Sequence, residues 1–433
     1  MENALVRRDV RMADEPLRTQ ARSLTAGAAL AVAAMAGCAV VAFVRPQDPL
    51  SDAPIVMVRE SGALYVRVGD TLHPALNLAS ARLIVGAAEN PAFIKDSELR
   101  KAKRGALLGI PGAPAVILEP LGAEESHWTV CDDGADTTVV AGPTASAAGN
   151  TVTLVRSRSD RVTYLLYDGR RARVSLAEPA AIRALHLEGA EPVDVSSSVL
   201  NAIPEVPPIT APAIPSAGRR GPSALDGMPV GSVVRVDRAD ADEMYVVLDD
   251  GVQRVGHVAA DIVRFNDSQG NSEIVTVPAD VVGAVPAVRS LPVTAFPDTV
   301  SAPMPAKVIC AQWRPDGATT VMTGSGLPLA AGESPVALAQ ADGPGPNADA
   351  VFVPPGRCLF VDSTHRYLVA DTGVRFAVRD AEAAAALGLP AESTPAPWPI
   401  LRLLADGPEL SRAAASVAHD GLAPDPGAAA LPG

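Results

Sequence analysis

Hydrophobic positions fall into one long run near the N-terminus and many short runs after it. Leu24 to Val44 is a stretch of 21 residues without a charged side chain, whereas later apolar residues alternate with polar ones between Gly, Pro and Asp. A helix rises about 1.5 Å per residue, so such a stretch can cross a hydrocarbon layer of ~30 Å. The pattern predicts one membrane-spanning helix at 23–45, followed by a mostly β region.

The charges on either side of this stretch predict its orientation. Five arginines precede it, and after Arg45 the next basic residue is Arg59. Basic residues favour the cytoplasmic side, so we expect residues 1–22 in the cytoplasm and the remainder outside. A cleaved signal peptide would have a shorter apolar stretch of ~7–15 residues. A lipid-modified Cys38 would be followed by polar residues, whereas Ala39 to Val44 is apolar. We therefore favour the span over both alternatives.

Four of the short runs resemble one another. Each carries a tyrosine near its start and ends at an Asp/Gly turn, and the last three resume with a second short run. The four are Leu64–Asp70, Thr163–Gly169, Met244–Gly251 and Arg366–Gly373. Gly supplies the positive φ of a tight hairpin turn. A short helical pattern follows at least three of them. The pattern predicts four hairpin-plus-helix repeats.

A second internal match separates the repeats within each half of the chain. Trp128 to Cys131 is followed by Thr137 to Gly142, and Val308 to Trp313 is followed by Thr319 to Gly324. This order predicts an α+β, mostly β fold with pseudo-twofold symmetry, in which both halves share a central β domain. Each lobe is too small to bury its own apolar face, so we expect all four to pack on that centre.

The pattern also sets the expected boundaries. They are repeat 1 at 46–100, the first central-domain segment at 101–157, repeat 2 at 158–203, a Pro-rich linker at 204–222, repeat 3 at 223–291, the second central-domain segment at 292–345, repeat 4 at 346–412 and a disordered tail at 413–433.

Cysteine positions suggest one disulfide. Cys131 and Cys310 occupy equivalent places in the two halves, and strands meeting in one sheet could bring them within the ~5.5–6 Å that a bridge needs. An oxidising exterior would let it persist. Two unpaired buried thiols remain an alternative. Cys358 is then either a small buried filler or a competing partner for Cys131.

Composition and motifs indicate no catalytic chemistry. The chain is 48% hydrophobic, 20% charged and 3% aromatic with a net charge of −13, which disfavours a nucleic-acid partner. The six histidines show no metal-ligand spacing. Asp132 to Asp136 lacks the ligand ladder of a calcium loop, so we interpret that cluster as a solvated turn. Gly109 to Pro114 lacks the Lys-Ser/Thr of a phosphate-binding loop. We therefore expect no catalytic residue, metal or cofactor.

Several blocks along the chain resemble the EccB family, a membrane component of the type VII (ESX) secretion system of actinobacteria. The blocks, in order, are 4–12, 68–84, 104–114, 128–132, 353–356, 371–375 and 407–411. The resemblance implies a single-span protein of the inner membrane with a large periplasmic region, in which a central domain and four repeats are held by a Cys131–Cys310 disulfide. It also implies assembly with the EccC motor ATPase, EccD, EccE, a mycosin protease and other EccB copies.

The chain departs from the family pattern at two places. Members usually carry a longer basic stretch before the first block, whereas the chain begins at Met1, which implies either a misassigned start codon or a truncated docking helix. Glycine is commoner than cysteine at the position of Cys358.

Three functions follow as hypotheses. The first is a structural subunit that scaffolds the periplasmic region of the secretion pore. The second is nucleotide hydrolysis, since some members are labelled ATPases; ATP is implied by that label alone. The third is a cell-wall-binding module, although the chain has few of the aromatic residues that sugar sites use.

Overall fold

The computed structural model describes residues 23–36, 52–144, 152–238, 241–271 and 273–422. Residues 23–36 form an exposed helix, α1. The predicted cytoplasmic segment 1–22 and the remainder of the predicted span, 37–45, lie outside the described residues. Within the ranges above, no helix has both the length and the apolar character needed to cross a membrane.

Four small sheets share one plan, a three-stranded antiparallel meander extended by parallel strands at its edges. In lobe 1 (55–104) the order is β4 (Ala92–Ile94), β1 (Ile55–Val58), β2 (Leu64–Val68), β3 (Thr71–Pro74), β5 (Lys103–Arg104). In lobe 2 (153–209) it is β13 (Val193–Val195), β10 (Thr153–Ser157), β11 (Thr163–Tyr167), β12 (Arg170–Val174), β14 (Glu205–Ile209).

Lobes 3 and 4 follow the same plan. In lobe 3 (233–287) the order is β17 (Gly251–Val255), β16 (Glu243–Leu248), β15 (Val233–Val236), β18 (Val275–Thr276), and a parallel bridge between Val252 and Ala287 stands where the fifth strand would be. In lobe 4 (357–406) it is β26 (Thr394–Pro395), β23 (Arg357–Asp362), β24 (Arg366–Val369), β25 (Val374–Ala377), β27 (Ala405–Asp406). The short strand β7 (Glu119–Pro120) also pairs with β23. The predicted hairpins correspond to the second and third strands of each meander.

Each lobe also has two helices, one after the meander and one between the two added strands. The first helices are α2 (Leu78–Val85), α4 (Pro179–Ala184), α6 (His257–Asn266) and α8 (Ala381–Leu387). The second helices are α3 (Asp96–Leu99), α5 (Ser197–Ala202), α7 (Ala279–Gly283) and α9 (Trp398–Leu401).

The first helices of lobes 1 and 4 start and stop on the same signals. The side chains of Asn77 and Asp380 accept hydrogen bonds from backbone amides at the helix N-termini, and Gly86 and Gly388 end the helices with positive φ. These are favoured capping residues because they satisfy terminal backbone groups that have no partner within the helix.

The central sheet combines strands from both halves of the chain. Its order is β20 (Thr319–Gly324), β19 (Val308–Trp313), β8 (Trp128–Asp132), β9 (Thr137–Ala141), β22 (Ala350–Phe352), β21 (Val336–Ala337). The hairpins β8–β9 and β19–β20 meet antiparallel along β8 and β19. The internal sequence match therefore joins in one sheet, as predicted.

Two of the lobes pack on the central sheet, and each of the other two packs on one of these. Lobes 2 and 4 share the main core with it, and α5 and α9 contact each other and β8. Lobe 1 packs on lobe 4 through α2 and α8, and lobe 3 packs on lobe 2 through α6 and α4. The expectation that all four lobes pack on the centre is therefore wrong for lobes 1 and 3, because each buries its first helix against a neighbouring lobe.

Several predicted boundaries differ from the strand pairing. β5, assigned to the central domain, pairs with β3 of lobe 1, and β22, assigned to repeat 4, pairs with β9 of the central sheet. The strand β10, assigned to the central domain, pairs with β11 in lobe 2. The prediction started repeat 2 at residue 158, close to its tyrosine, and so missed the strand before it. The predicted linker contains β14, which pairs with β12. β14 is an edge strand, the position in which a sheet tolerates prolines such as Pro207 and Pro208.

The predicted disordered tail is wrong for its initial residues. Residues Arg412–Ala415 form helix α10, which packs on α2 with Ala415 fully buried. Strand β28 (Ala418–His419) then pairs with β6 (Leu107–Leu108). Alanine-rich composition suggested disorder, but small side chains also allow close helix packing. Residues 423–433 lie outside the described residues of the chain.

Candidate functional site in the central sheet

The disulfide joins the two halves of the chain at the middle of the central sheet. Cys131 and Cys310 are direct partners on β8 and β19, with Cα atoms 4.0 Å apart, and their sulfurs are bonded. Both are buried, against Val308, Met322 and Leu327. The two alternatives, free thiols and a Cys131–Cys358 pairing, do not occur. A bridge closing so long a loop contributes about 2–5 kcal/mol to stability.

The opposite face of the sheet carries lobes 2 and 4. Trp128 lies there, fully buried, directly across from Trp313. Leu200 on α5 and Leu401 on α9 belong to the same apolar cluster. The disulfide therefore lies on the face of the central sheet opposite to the one that lobes 2 and 4 cover.

Asp132 connects the central sheet to lobe 2. Its carboxylate is 2% exposed, pairs with Arg158, and accepts hydrogen bonds from the amides of Ser196 (2.6 Å) and Gly134 (2.8 Å). Ser196 is the residue that caps α5. Sequence reasoning assigned Asp132 to a solvated turn and missed this role, because the pairing partners lie 26 and 64 residues away.

The remainder of the acidic cluster is a turn, as predicted. Asp133 accepts hydrogen bonds from the amides of Asp136 (2.9 Å) and Ala135 (3.0 Å), and these bonds hold its pKa below the usual range. Burial raises the pKa of Asp136, and the neighbouring carboxylates of Asp349, Asp133 and Asp132 raise it further. Among the described residues no group of three or more His, Cys, Asp or Glu side chains could hold a metal ion.

A second buried carboxylate, Asp349, lies beside the same β8–β9 turn as Asp132. It accepts hydrogen bonds from the amides of Thr137 (2.7 Å), Asp342 (2.8 Å) and Gly343 (2.6 Å). Its own amide donates to the carbonyl of Thr137 at 2.8 Å. This carboxylate joins the loop before β22 to the start of β9. No sequence signal pointed to it.

Hairpin turns of lobes 2 and 4 touch the two flanks of the central sheet. Gly169 lies against the carbonyl of Thr319 on β20, and Gly373 lies against Val351 on β22. Both have positive φ. A Cβ atom at either position would overlap these neighbours, so glycine is required by space as well as by conformation.

The tyrosines of lobes 2 and 4 occupy matching environments. Tyr164 and Tyr367 are buried in the main core, and the guanidinium groups of Arg171 and Arg375 lie over their rings. These arginines pair with Glu205 (3.0 Å) and Asp406 (3.3 Å). Both tyrosines therefore serve packing.

The tyrosines of lobes 1 and 3 are only partly buried. Tyr65 packs on the apolar cluster beneath α3, and Tyr245 donates to Glu243 at 2.9 Å. They too contribute to packing within their own lobes.

The glycine-rich segment before the central sheet is a structural contact. Asn77 donates to the carbonyl of Ile110 at 2.8 Å, and the amide of Ile110 donates to Ser80 at 2.8 Å. Gly109 lies against Leu76, where a Cβ atom would be crowded. The blocks 68–84 and 104–114 thus join each other, and their polar groups are used in that contact.

Cys358 lines a cavity of about 430 Å³ between lobe 4 and the segment 112–118. Its thiol donates to the carbonyl of Leu118 at 3.1 Å, and burial raises its pKa to about 12. Because the thiolate is the reactive form, this cysteine is inert at neutral pH. It is the small buried filler of the first alternative.

Known proteins resemble the chain in sequence and in fold. The model of the family described as Type VII secretion system ESX-1, transport TM domain B matches residues 1–424. The chain belongs to the EccB family. A relative named ESX-3 secretion system ATPase EccB3, from Mycolicibacterium smegmatis, is 39% identical over 98% of this chain and 89% of its own.

Solved structures of ESX complexes contain the same fold. A chain in the structure of the periplasmic assembly from the ESX-5 inner membrane complex matches with a TM-score of 0.77 and 34% identity, over 90% of this chain and 99% of that one. The EccB3 dimer from the ESX-3 core complex matches with a TM-score of 0.74 and 35% identity, over 84% of this chain and 100% of that one.

Proposed function

We propose that the chain is a structural, membrane-anchored subunit of a type VII secretion pore that scaffolds its periplasmic region. One observation supports this most directly: polar groups of the central sheet and glycines of the lobe turns are used in joining the parts of the fold. Asp132, Gly169 and Gly373 join lobes 2 and 4 to the sheet, and Asp349 joins two segments within it. The proposal needs neither a catalytic group nor a cofactor.

The proposed topology is a single span with a cytoplasmic N-terminus and a periplasmic C-terminal region in the inner membrane. The support is the uncharged stretch from Leu24 to Val44 and the arginine excess before it. Small residues in the stretch, such as Gly27 and Gly37, would let partner helices approach closely. Reporter fusions at Gly433 test the topology; a cytoplasmic signal would overturn it.

The proposed partners are other copies of the chain, the EccC motor ATPase, EccD, EccE and a mycosin protease. The support is that related chains occur in an inner membrane complex and in a dimer. Mild detergent extraction followed by native mass measurement should yield a megadalton assembly that contains the motor ATPase. A lone monomer under gentle extraction would overturn the structural role.

Nucleotide hydrolysis is the second candidate, since the curated relative carries the name ATPase. It requires positioned phosphate ligands and a metal site. The test is ATP turnover by the purified full chain and by variants with solvent-accessible carboxylates replaced, including Asp133→Asn and Asp371→Asn. Turnover that falls in one variant would support the enzyme, whereas equal rates in all variants would indicate contamination.

A further inference from the structure

Lobe 1 carries an unusual concentration of positive charge. Three of the four lysines in the chain, Lys95, Lys101 and Lys103, lie within ten residues, together with Arg100 and Arg104. All five side chains are exposed, and only two acidic residues lie in the same stretch. The whole chain has a net charge of −13, so this segment has the opposite sign from the molecule that carries it.

The pairing of these charges is incomplete. Arg100 pairs with Asp96 at 2.7 Å and Lys103 with Asp70 at 3.3 Å, both in solvent. Within the described residues of the chain, no carboxylate forms an ion pair with Lys101 or Arg104. Exposed pairs of this kind are weak and easily exchanged, so the segment can offer several positive charges to another anion.

The basic segment presents its charged side chains on a solvent-exposed face of lobe 1. It contains α3 and crosses lobe 1 from β4 to β5. In lobes 2 and 4 the corresponding face, with α5 and α9, packs on the central sheet. In lobe 3 the corresponding segment, 273–288, contains no Lys or Arg. The positive charge is therefore specific to the outward face of lobe 1.

One end of this face lies where the chain arrives from the N-terminus. β1 starts there, because Ile55 pairs with Val66, and the amide of Arg67 donates to the carbonyl of Pro54 at 2.8 Å. Thr71 pairs with Lys103 at the same end. Beside them the hairpin turn presents Val68, which is 45% exposed.

The length of the preceding chain keeps this end near the bilayer. Seven residues, 45–51, separate the apolar stretch from the first described residue of lobe 1, and seven residues span at most about 25 Å. Short tethering of this kind raises the effective concentration of the basic end at the membrane surface.

We infer that the end of lobe 1 formed by the 68–70 turn and by residues 101–104 of the basic segment docks on anionic phospholipid headgroups of the membrane that anchors the chain. This inference rests on the proposed membrane anchoring. Lysine and arginine attract phosphate-bearing headgroups, and exposed Val68 can enter the interfacial layer. The acidic remainder of the molecule is repelled by the same surface, so docking also orients the lobes.

The test is hydrogen exchange of the full chain reconstituted in nanodiscs of two compositions. One contains phosphatidylcholine alone and the other equal amounts of phosphatidylcholine and phosphatidylglycerol. Amide exchange in 95–104 should slow by about fivefold in the anionic discs. It should recover at about 0.5 M sodium chloride, where screening shortens the range of the attraction to under ~5 Å.

Matched variants separate this effect from tethering alone. Replacing Lys101, Lys103 and Arg104 by Gln should abolish the lipid dependence, whereas Arg219→Gln with Arg289→Gln and Lys307→Gln, which removes the same charge from exposed sites elsewhere, should preserve it. Equal exchange in both lipids would overturn the inference. Protection seen only in the assembled complex would overturn it in favour of an acidic protein partner.

Resistance to alkaline carbonate extraction is measured on the same samples. A chain that fails to insert would overturn the membrane anchoring and this inference together. A chain that inserts but shows no dependence on lipid charge would overturn this inference alone.

Discussion

Gly169 lies against the carbonyl oxygen of Thr319, so closely that no side-chain carbon fits between them. The contact joins the hairpin turn of lobe 2 to β20 at the edge of the central sheet. Gly69, at the matching turn of lobe 1, has a similar positive φ but open space around it. Gly69 therefore requires glycine for its backbone conformation alone, whereas Gly169 also requires it because a neighbouring backbone approaches closely.

Gly169→Ala should therefore destabilise the chain more than Gly69→Ala. Both changes cost about 1–2 kcal/mol for placing alanine at positive φ. The change at Gly169 adds about 1–3 kcal/mol, because β20 must move away. Thermal unfolding of the full chain in detergent, followed by tryptophan fluorescence, measures the difference. Equal decreases in Tm would show that the turn of lobe 2 is not in close contact with β20 in solution.

Removing the disulfide should weaken the junction of the two halves. Cys131→Ala with Cys310→Ala should cost about 2–5 kcal/mol, since the unfolded chain gains the freedom that the bridge removed. Reductant should lower the Tm of the unmodified chain and leave that of the double variant unchanged. Cys358→Ala is the control, and its response to reductant should match that of the unmodified chain. A reductant effect that persists in the double variant would contradict the assignment.

Much of the fold could be predicted from local signals. The hairpins were predictable because tyrosine, an alternating run and an Asp/Gly turn occur within ten residues. The shared central sheet and its disulfide followed from the internal match around Cys131 and Cys310. First strands such as β10 could not be found in the same way, because they carry no turn or aromatic marker of their own.

Long-range contacts were the aspect that the sequence could not supply. Asp349 and Thr137 are 212 residues apart, and nothing in either segment indicates the other. The packing of lobes 1 and 3 was mispredicted for a related reason. Burial of a small apolar face can be predicted, but the surface that covers it cannot.

Substitution of Asp132 should destabilise the chain more than substitution of its neighbour Asp133. Asp132→Ala leaves the half-buried Arg158 and the amide of Ser196 without their carboxylate, and breaking a buried pair in this way costs about 3–5 kcal/mol. Asp133→Ala removes only turn hydrogen bonds and should cost about 1 kcal/mol. Urea unfolding of the two variants tests the difference. Comparable midpoints would show that Asp132 does not hold lobe 2 on the sheet.

Tyr167 should make the fold less stable at alkaline pH. Its hydroxyl donates to the carbonyl of Ala295 at 2.6 Å, and burial raises its pKa from 10.0 to about 12. Between those two values the unfolded chain has released a proton that the folded chain still holds, so stability is complete below pH 10 and falls as the pH rises towards 12. Tyr167→Phe should lower the Tm at neutral pH, because it removes one hydrogen bond that contributes about 1 kcal/mol to the free energy of unfolding.

The variant should also flatten the alkaline decline, because phenylalanine has no proton to lose. Measuring Tm in steps from about pH 8 to about pH 11 compares the two slopes. Tyr65→Phe, at a partly exposed tyrosine in lobe 1, is the matched control and should retain the steep decline. Identical slopes for the unmodified chain and Tyr167→Phe would show that this hydroxyl is not buried against Ala295 in solution. The contact between lobe 2 and the segment that follows lobe 3 would then have to be looser than the structure describes.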